Sequence, residues 1–242
     1  MKIPAIKGII RRRLLLNYRV SPEIIQSHLP KTFRPKLVKG RAIAGICLIR
    51  LEQVRPNLLP AFTGISSENS AHRIAVEWDD ESGELREGVF VPRRDTDSLL
   101  NSLAGGRIFP GVHHHSRFQI TDQNGDISIK VTSDDDPLVE IQANESDTFP
   151  AESIFESFEE SSRFFENGCI GYSSRPNSAR LDGLLLKVPN WQASSLEVQS
   201  LKSSFFDNTK VFPPDTITFD HALLMRDIPH EWHSEPELTY SK

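Results

Sequence analysis

Two adjacent arginines, Arg93 and Arg94, close an apolar run, Val89-Phe90-Val91, behind Pro92. Proline fixes the backbone where a strand gives out, and two guanidiniums side by side repel, so the pair asks for an anion. Two sources fit. The anion is internal if Glu87, Asp95 or Asp97 closes an ion-pair cluster, and it is a ligand if the planar donors hold a substrate carboxylate as a bidentate fork. Neither arginine can be a nucleophile or proton shuttle at neutral pH, because the guanidinium keeps its charge. His113, His114 and His115 follow in the same stretch. Alternate histidines on a strand can share a metal ion, with His72 or His221 as a third ligand. No acidic or thiolate partner stands at tight spacing, however, so no metal is expected, and His113 and His115 read as polar strand residues at a cavity mouth. His230-Glu231-Trp232-His233 is one residue short of the zinc-protease pattern.

A hairpin leads into the arginine pair: residues 72–79 alternate, Glu81-Ser82-Gly83 turns the chain, and residues 85–91 return. Behind the pair, Thr96 is expected to cap a helix over residues 97–104 with Gly105 as its stop, adding an electropositive N-terminus. Upstream, residues 9–20 alternate, with Leu14, Leu16, Tyr18 and Val20 on one side and Arg11, Arg13, Leu15, Asn17 and Arg19 on the other. Ser21-Pro22-Glu23 then starts a helix over residues 22–28, and residues 42–54 form another strand. Residues 112–120, 127–132 and 138–143 are strands, with Asn124-Gly125 as a hairpin turn and Asp134-Asp135-Asp136 as a solvated tip. The spacing of Ile154, Phe155, Phe158, Phe164 and Phe165 predicts one long amphipathic helix over residues 151–165. Four more strands are expected at 169–174, 181–188, 196–206 and 216–225.

Roughly eight to eleven strand candidates with antiparallel turn signals, and few helices, predict a mainly antiparallel β fold (α+β). Closing such a sheet into a barrel or cone removes its edges and encloses a cavity. The 242 residues show no repeat and no dividing linker, so a single domain over 1–242 is expected. A net charge of -5 argues against a general nucleic-acid binder. No apolar stretch is long enough to span a bilayer, because Arg11-Arg12-Arg13 breaks the first one. Cys47 and Cys169 lie far apart in apolar runs, which fits buried free thiols in a reducing, cytoplasmic setting. There is no phosphate loop, Walker motif or nucleophile elbow, and no cofactor is expected. A small molecule is the expected partner, and a homo-oligomer is left open.

Three anchors carry a resemblance. Asn17-Tyr18-Arg19-Val20, with Pro22-Glu23 and Leu29-Pro30 behind it, is similar to the Tyr-Arg-Thr-Asp strand and helix of the acetoacetate decarboxylases. Residues 87–94 resemble their Glu-x-x-x-Tyr-Pro-Lys-Lys, and Phe219-Asp220-His221-Ala222 with Asp227-Ile228-Pro229 resembles their Phe-Asp-His-Ala and Asp-Leu-Pro. In this order they make the chain similar to the acetoacetate decarboxylase-like superfamily, and more closely to its branch of uncharacterised conserved bacterial proteins. The resemblance implies a cone-shaped β-barrel with a cavity, Arg19 and Glu87 at positions near the active site, and Glu68 as a weaker counterpart of a pocket carboxylate. In the decarboxylases the first lysine of the pair forms a Schiff base with the keto substrate. Arg93 stands there in this chain, and an arginine supplies no free amine.

Two classes of function follow. In the first, Arg19, Arg93 and Arg94, with His113 and His115, hold the carboxylate of a small organic (keto) acid. In the second, Glu87 or Glu68 is the acid or base of a lyase, hydratase or isomerase whose carbonyl substrate the arginines polarise.

Overall fold

The computed structural model describes residues 5–99, 110–134 and 136–239. The alternating segment makes β1 (Ile6–Val20), and the Ser21-Pro22 start turns it into α1 (Pro22–Gln26). Two short strands, β2 (Arg34–Pro35) and β3 (Leu37–Val38), lead into the long β4 (Arg41–Pro56), β5 (Ile65–Asp79) and β6 (Leu85–Thr96). Next come β7 (His113–His115), β8 (Arg117–Gln123), β9 (Asp126–Ser133) and β10 (Asp136–Ser146). Helix α2 (Phe158–Asn167) separates these from β11 (Ile170–Ser174), β12 (Arg180–Lys187), β13 (Ser194–Ser203) and β14 (Ile217–Thr239). Asn124 and Gly125, at φ 55° and 86°, turn β8 into β9 as an Asn-Gly hairpin should. The helix expected over 97–104 lies mostly outside the described residues.

β14 closes the sheet. One of its edges pairs with β1 from Ile217 to Trp232, and the other pairs first with β13 and then with β12. The order β1-β4-β5-β6-β11-β12-β14 therefore returns to β1 as a ring, and β13-β10-β9-β8 continues from β14 as a second sheet. Pairing is antiparallel except at β6, whose second edge takes β11 and then β7 in parallel. This exchange of partners also explains why β14 runs on to Thr239 and does not stop near residue 225 as its sequence pattern indicated.

The two faces of the ring do different work. Leu14, Leu16, Ile46, Leu48, Ile74 and Val76 face outward and pack against Ile127, Ile129, Val131, Val139 and Ile141 of the second sheet, making the principal core. Leu15, Ile43, Cys47 and Ala75 face inward, where α2 brings Phe165 and the turns before it bring Ile154 and Phe155. One end of the ring is thereby plugged.

The plug is shorter than the helix expected over 151–165. Asp220 takes hydrogen bonds from the Ile154 N–H (2.9 Å) and the Ser153 hydroxyl (2.7 Å), which holds the residues before α2 in turns. The helix starts only where Ser157 Oγ accepts from the Glu160 N–H at 3.2 Å and Glu160 reaches back to the Glu156 N–H at 2.6 Å.

Ring closure between β6 and β11 rests on two residue pairs, Gly171 with Val89 and Tyr172 with Phe90. Gly88 makes the approach possible, since a Cβ there would stand 2.4 Å from the Ile170 carbonyl oxygen. Gly88→Ala should destabilise the protein by ~1–3 kcal/mol, a fall in Tm of roughly 2–4 °C per kcal/mol for a chain of this size. Calorimetry checks this, and an unchanged Tm would contradict the tight closure.

Candidate functional site

Between the α2 plug and the far rim, the ring holds an open-mouthed cavity of ≈ 150 Å³ whose wall carries three arginines: Arg13 of β1, Arg73 of β5 and Arg94 of β6. Strand register puts them there. β5 and β6 pair His72 with Arg93 but Ile74 with Phe90, so Val91 and Pro92 together oppose the single residue Arg73. This β-bulge, at a residue with no N–H to give the ladder, inverts the alternation. Val89 and Val91 face inward before it, and Arg94, opposite Ala71, faces inward after it. Arg93 consequently turns out, pairing with Asp95 at 2.9 Å and donating to Ser133 of β9 at 3.1 Å. A second irregularity, between Ile10 and Arg12, sends three consecutive arginines three ways. Arg11 meets Glu52 at the surface (2.8 Å), Arg12 meets Glu68 (2.8 Å) behind the ring wall, and Arg13 enters the cavity.

None of the three cavity arginines has an ion pair with a carboxylate among the described residues. Arg13 donates its Nε–H to Cys47 Sγ at 3.4 Å and stands 5.8 Å over the Trp191 ring. Arg73, 4% exposed, donates through Nη2 to Asn17 Oδ1 and lies 4.6 Å over the Phe165 ring, while its Nε has no hydrogen-bond partner among the described residues. Arg94 donates from Nε to Ser173 Oγ at 3.3 Å. Burial pulls the guanidiniums of Arg73 and Arg94 down to about 10, which still leaves both charged at neutral pH. Cys47 lies within electrostatic reach of both. His113 also lines the cavity, and burial followed by the Arg94 charge pushes its imidazole down to about 4, so it is neutral. Asp95 also lines the cavity, but its carboxylate is taken by Arg93 and Ser116, so the lining is mainly cationic, with Ser67 and Asn69 as further polar groups and Val89, Val91, Leu184 and Leu186 as apolar wall.

Arg73 is held from below by a buried clamp. Asn17 accepts from it and offers its own NH2 group to His221 Nε2 (3.0 Å), which also meets the Ser161 hydroxyl of α2 at 2.7 Å. With Nε2 accepting, the proton sits on Nδ1 and is donated to Asp220 at 2.6 Å. Ser161, His221 and Asp220 thereby share the order of an acyl-transfer triad. The Ser161 and His221 residues and the Asp220 side chain are fully buried, and Asn17 occupies the histidine nitrogen that would activate the serine. The arrangement fastens α2 into the end of the ring.

Of the residues singled out in the sequence, Arg94 and His113 come together on the cavity wall. Arg19 does not: it donates to the Glu152 carbonyl (2.8 Å) and lies 3.4 Å from Asp220, steadying the turns before α2. Arg93 points out, and His115 is exposed on β7. Glu68 is buried outside the cavity against Arg12 and, at 3.8 Å, Arg50, its carboxyl raised by burial against the pull of both arginines. Glu87 is paired with Lys36, whose ammonium stands 4.4 Å over the Phe164 ring. No lysine lines the cavity among the described residues: Lys130 pairs with Glu140 on the second sheet, and Lys187 is exposed.

His72 and His221 do not join the histidine run. His72 packs against the Phe205 and Phe206 rings (5.4 and 5.9 Å), and no group of three His, Cys, Asp or Glu among the described residues could hold a metal. Both free cysteines, Cys47 and Cys169, face the cavity. Sequence reasoning did not assign Arg13 or Arg73 to the site. The available signal was Arg73 itself, a cation on an apolar strand with alanine two residues away on either side and no acid at that spacing.

A model of the family DUF2071, described as an uncharacterized conserved protein, matches residues 10–224. Comparison with curated proteins finds no match. Among solved structures the chain is similar to acetoacetate decarboxylase from Legionella pneumophila, at 12% identity and TM-score 0.64, covering 98% of this chain and 88% of that one. It is also similar to an acetoacetate decarboxylase-like enzyme from Sphingomonas wittichii, at 12% identity and TM-score 0.63 over 99% and 95% of the two chains. The enduracididine biosynthesis enzyme MppR, complexed with pyruvate, matches at 11% identity and TM-score 0.61 over 100% and 91%. At these identities the likeness establishes the fold.

The buried histidines set an acid limit. His72 and His230 are each 2% exposed and are pushed by burial down to about 4, His72 with no hydrogen-bond partner on either ring nitrogen among the described residues and His230 against the opposing pull of the Ile228 backbone. Their folded values lie below the unfolded value, so the unfolded chain takes up protons first. The stability they lend is complete above about pH 6.5 and is lost as pH falls toward 4. Denaturant unfolding should show that decline, and His72→Leu should shrink it by on the order of 1–3 kcal/mol. An unchanged pH profile in the variant would contradict a neutral, solvent-shielded His72.

Proposed function

The chain belongs to the DUF2071 family and has the fold of the acetoacetate decarboxylases, and on that premise we propose that it binds a small organic acid of keto-acid type inside the ring, without imine chemistry. One observation carries the reading: Arg13, Arg73 and Arg94 line a single cavity with no carboxylate partner among the described residues. Guanidiniums that stay protonated in such surroundings favour an anionic ligand, and their planar donors suit a carboxylate. In this reading Arg94 and His113 keep the role their sequence positions gave them, whereas Arg13 and Arg73 take the place of Arg19, Arg93 and His115. A cavity of about this volume accommodates a molecule of benzene's size, and pyruvate, which MppR binds on the same fold, has a similar number of heavy atoms. Two free cysteines at the cavity favour a reducing compartment, and the proposal sets the protein in the cytoplasm.

The acid-base alternative draws less support, because Glu68 and Glu87 both have basic partners and neither faces the cavity. Schiff-base chemistry draws less support, since no described lysine lines this cavity and Lys36, which lines the smaller hollow beside Arg13 and Arg73, is paired with Glu87.

Pyruvate or acetoacetate at about a hundredfold over its Kd should stabilise the fold by ~2.7 kcal/mol and raise Tm by roughly 5–10 °C. Arg94→Gln should abolish most of that rise, and a variant that keeps it would contradict the assignment. Acetoacetate with cyanoborohydride should leave the protein mass unchanged. A reduced adduct on any lysine would overturn the reading.

A further inference from the structure

We infer that the ligand carries two carboxylates on a short spacer, so that the ring takes a small dicarboxylate in preference to a monoacid. This rests on the acid-binding reading and sharpens it. One carboxylate would neutralise one of the three cavity guanidiniums and leave two unbalanced in a largely apolar enclosure. No internal group makes up the difference: Asp95 is engaged by Arg93 and by the Ser116 hydroxyl (2.9 Å), and Arg13, Arg73 and Arg94 have no carboxylate partner among the described residues.

The strand register also separates the cations. Cys47 stands opposite Leu15 on β1 and opposite Ala71 on β5, which makes it the diagonal neighbour of Arg13 on one side and of Arg73 on the other. Arg94 lies opposite Ala71, beyond the same cysteine. Arg13 and Arg73 flank the thiol and act on one another, whereas Arg94 approaches it from β6. Cations spread over three strands, Arg13 on β1, Arg73 on β5 and Arg94 on β6, match two anionic groups joined by a few carbons better than one compact anion. The buried, unpartnered Nε of Arg73 and the N–H groups that Arg94 does not spend on Ser173 are donors still open for them.

Calorimetric titration at fixed ionic strength tests this with malonate and succinate against butyrate, pyruvate and inorganic phosphate. The diacids should bind at least tenfold more tightly than the monoacids or phosphate, and Arg13→Met should bring that ratio close to one. Equal affinity for mono- and diacids overturns the dicarboxylate inference and leaves the acid-binding reading standing, whereas failure of every acid to bind overturns both. Phosphate binding as tightly as succinate also overturns the inference, because one compact dianion would then suffice. A second measurement needs no variant. Succinate should shield Cys47 from iodoacetamide at concentrations at least tenfold below those butyrate needs, and equal shielding overturns the inference.

Discussion

A guanidinium cannot shed its proton at neutral pH, so burying Arg73 without an acid commits the inside of the ring to a counter-charge supplied from elsewhere. What the fold offers Arg73 is partial: one amide oxygen from Asn17 and the face of Phe165. Neither carries a negative charge. The rest of the inner surface does not help: half-buried Arg13 and Arg94 also lack a carboxylate partner among the described residues, Asp95 is taken by Arg93 and Ser116, and His113 is kept neutral. Arg34 and Arg226 find Asp at ordinary ion-pair distances, and Arg41 and Arg55, which have only hydroxyl or carbonyl acceptors, are not fully buried; a buried Arg73 without an acid is what marks the cavity as a place for an anion.

Such an interior is tolerable because stability is built elsewhere. The principal core lies between the outer face of the ring and the second sheet, and it is apolar almost throughout. The inner face is then free to hold polar and charged groups over part of its height, with α2 and its phenylalanines filling one end. The Asn17-His221-Ser161 clamp joins the two parts, because the asparagine that steadies Arg73 also contacts the histidine that anchors the helix. Asp220 ties the same histidine to the turns before α2. The stretch resembling the decarboxylases' Phe-Asp-His-Ala therefore serves as scaffolding for the cavity floor.

Much of the fold was legible in the sequence because period-two alternation and turn chemistry are local. The β5–β6 hairpin, the Asn124-Gly125 turn and the shared apolar face of Leu14, Leu16, Tyr18 and Val20 follow directly, though not that this face points out of the ring. The site was less legible. One extra residue at Val91-Pro92 decides which member of the arginine pair faces inward, and alternation counted along a strand does not see a bulge that exists only against its partner. Arg19 is claimed by Asp220 and the Glu152 carbonyl, more than a hundred residues away, a competition no local pattern shows. The same Asp220 shortens the helix expected over 151–165.

The account stands on an unsatisfied positive charge inside the ring, and an anion with no shape of its own reads that charge most directly. Crystals soaked in bromide, with anomalous diffraction collected at the bromine edge, should show a bromide in the cavity within contact distance of Arg73 and of Arg13 or Arg94. A cavity holding no anomalous peak while bromide occupies sites on the outer surface would contradict the account.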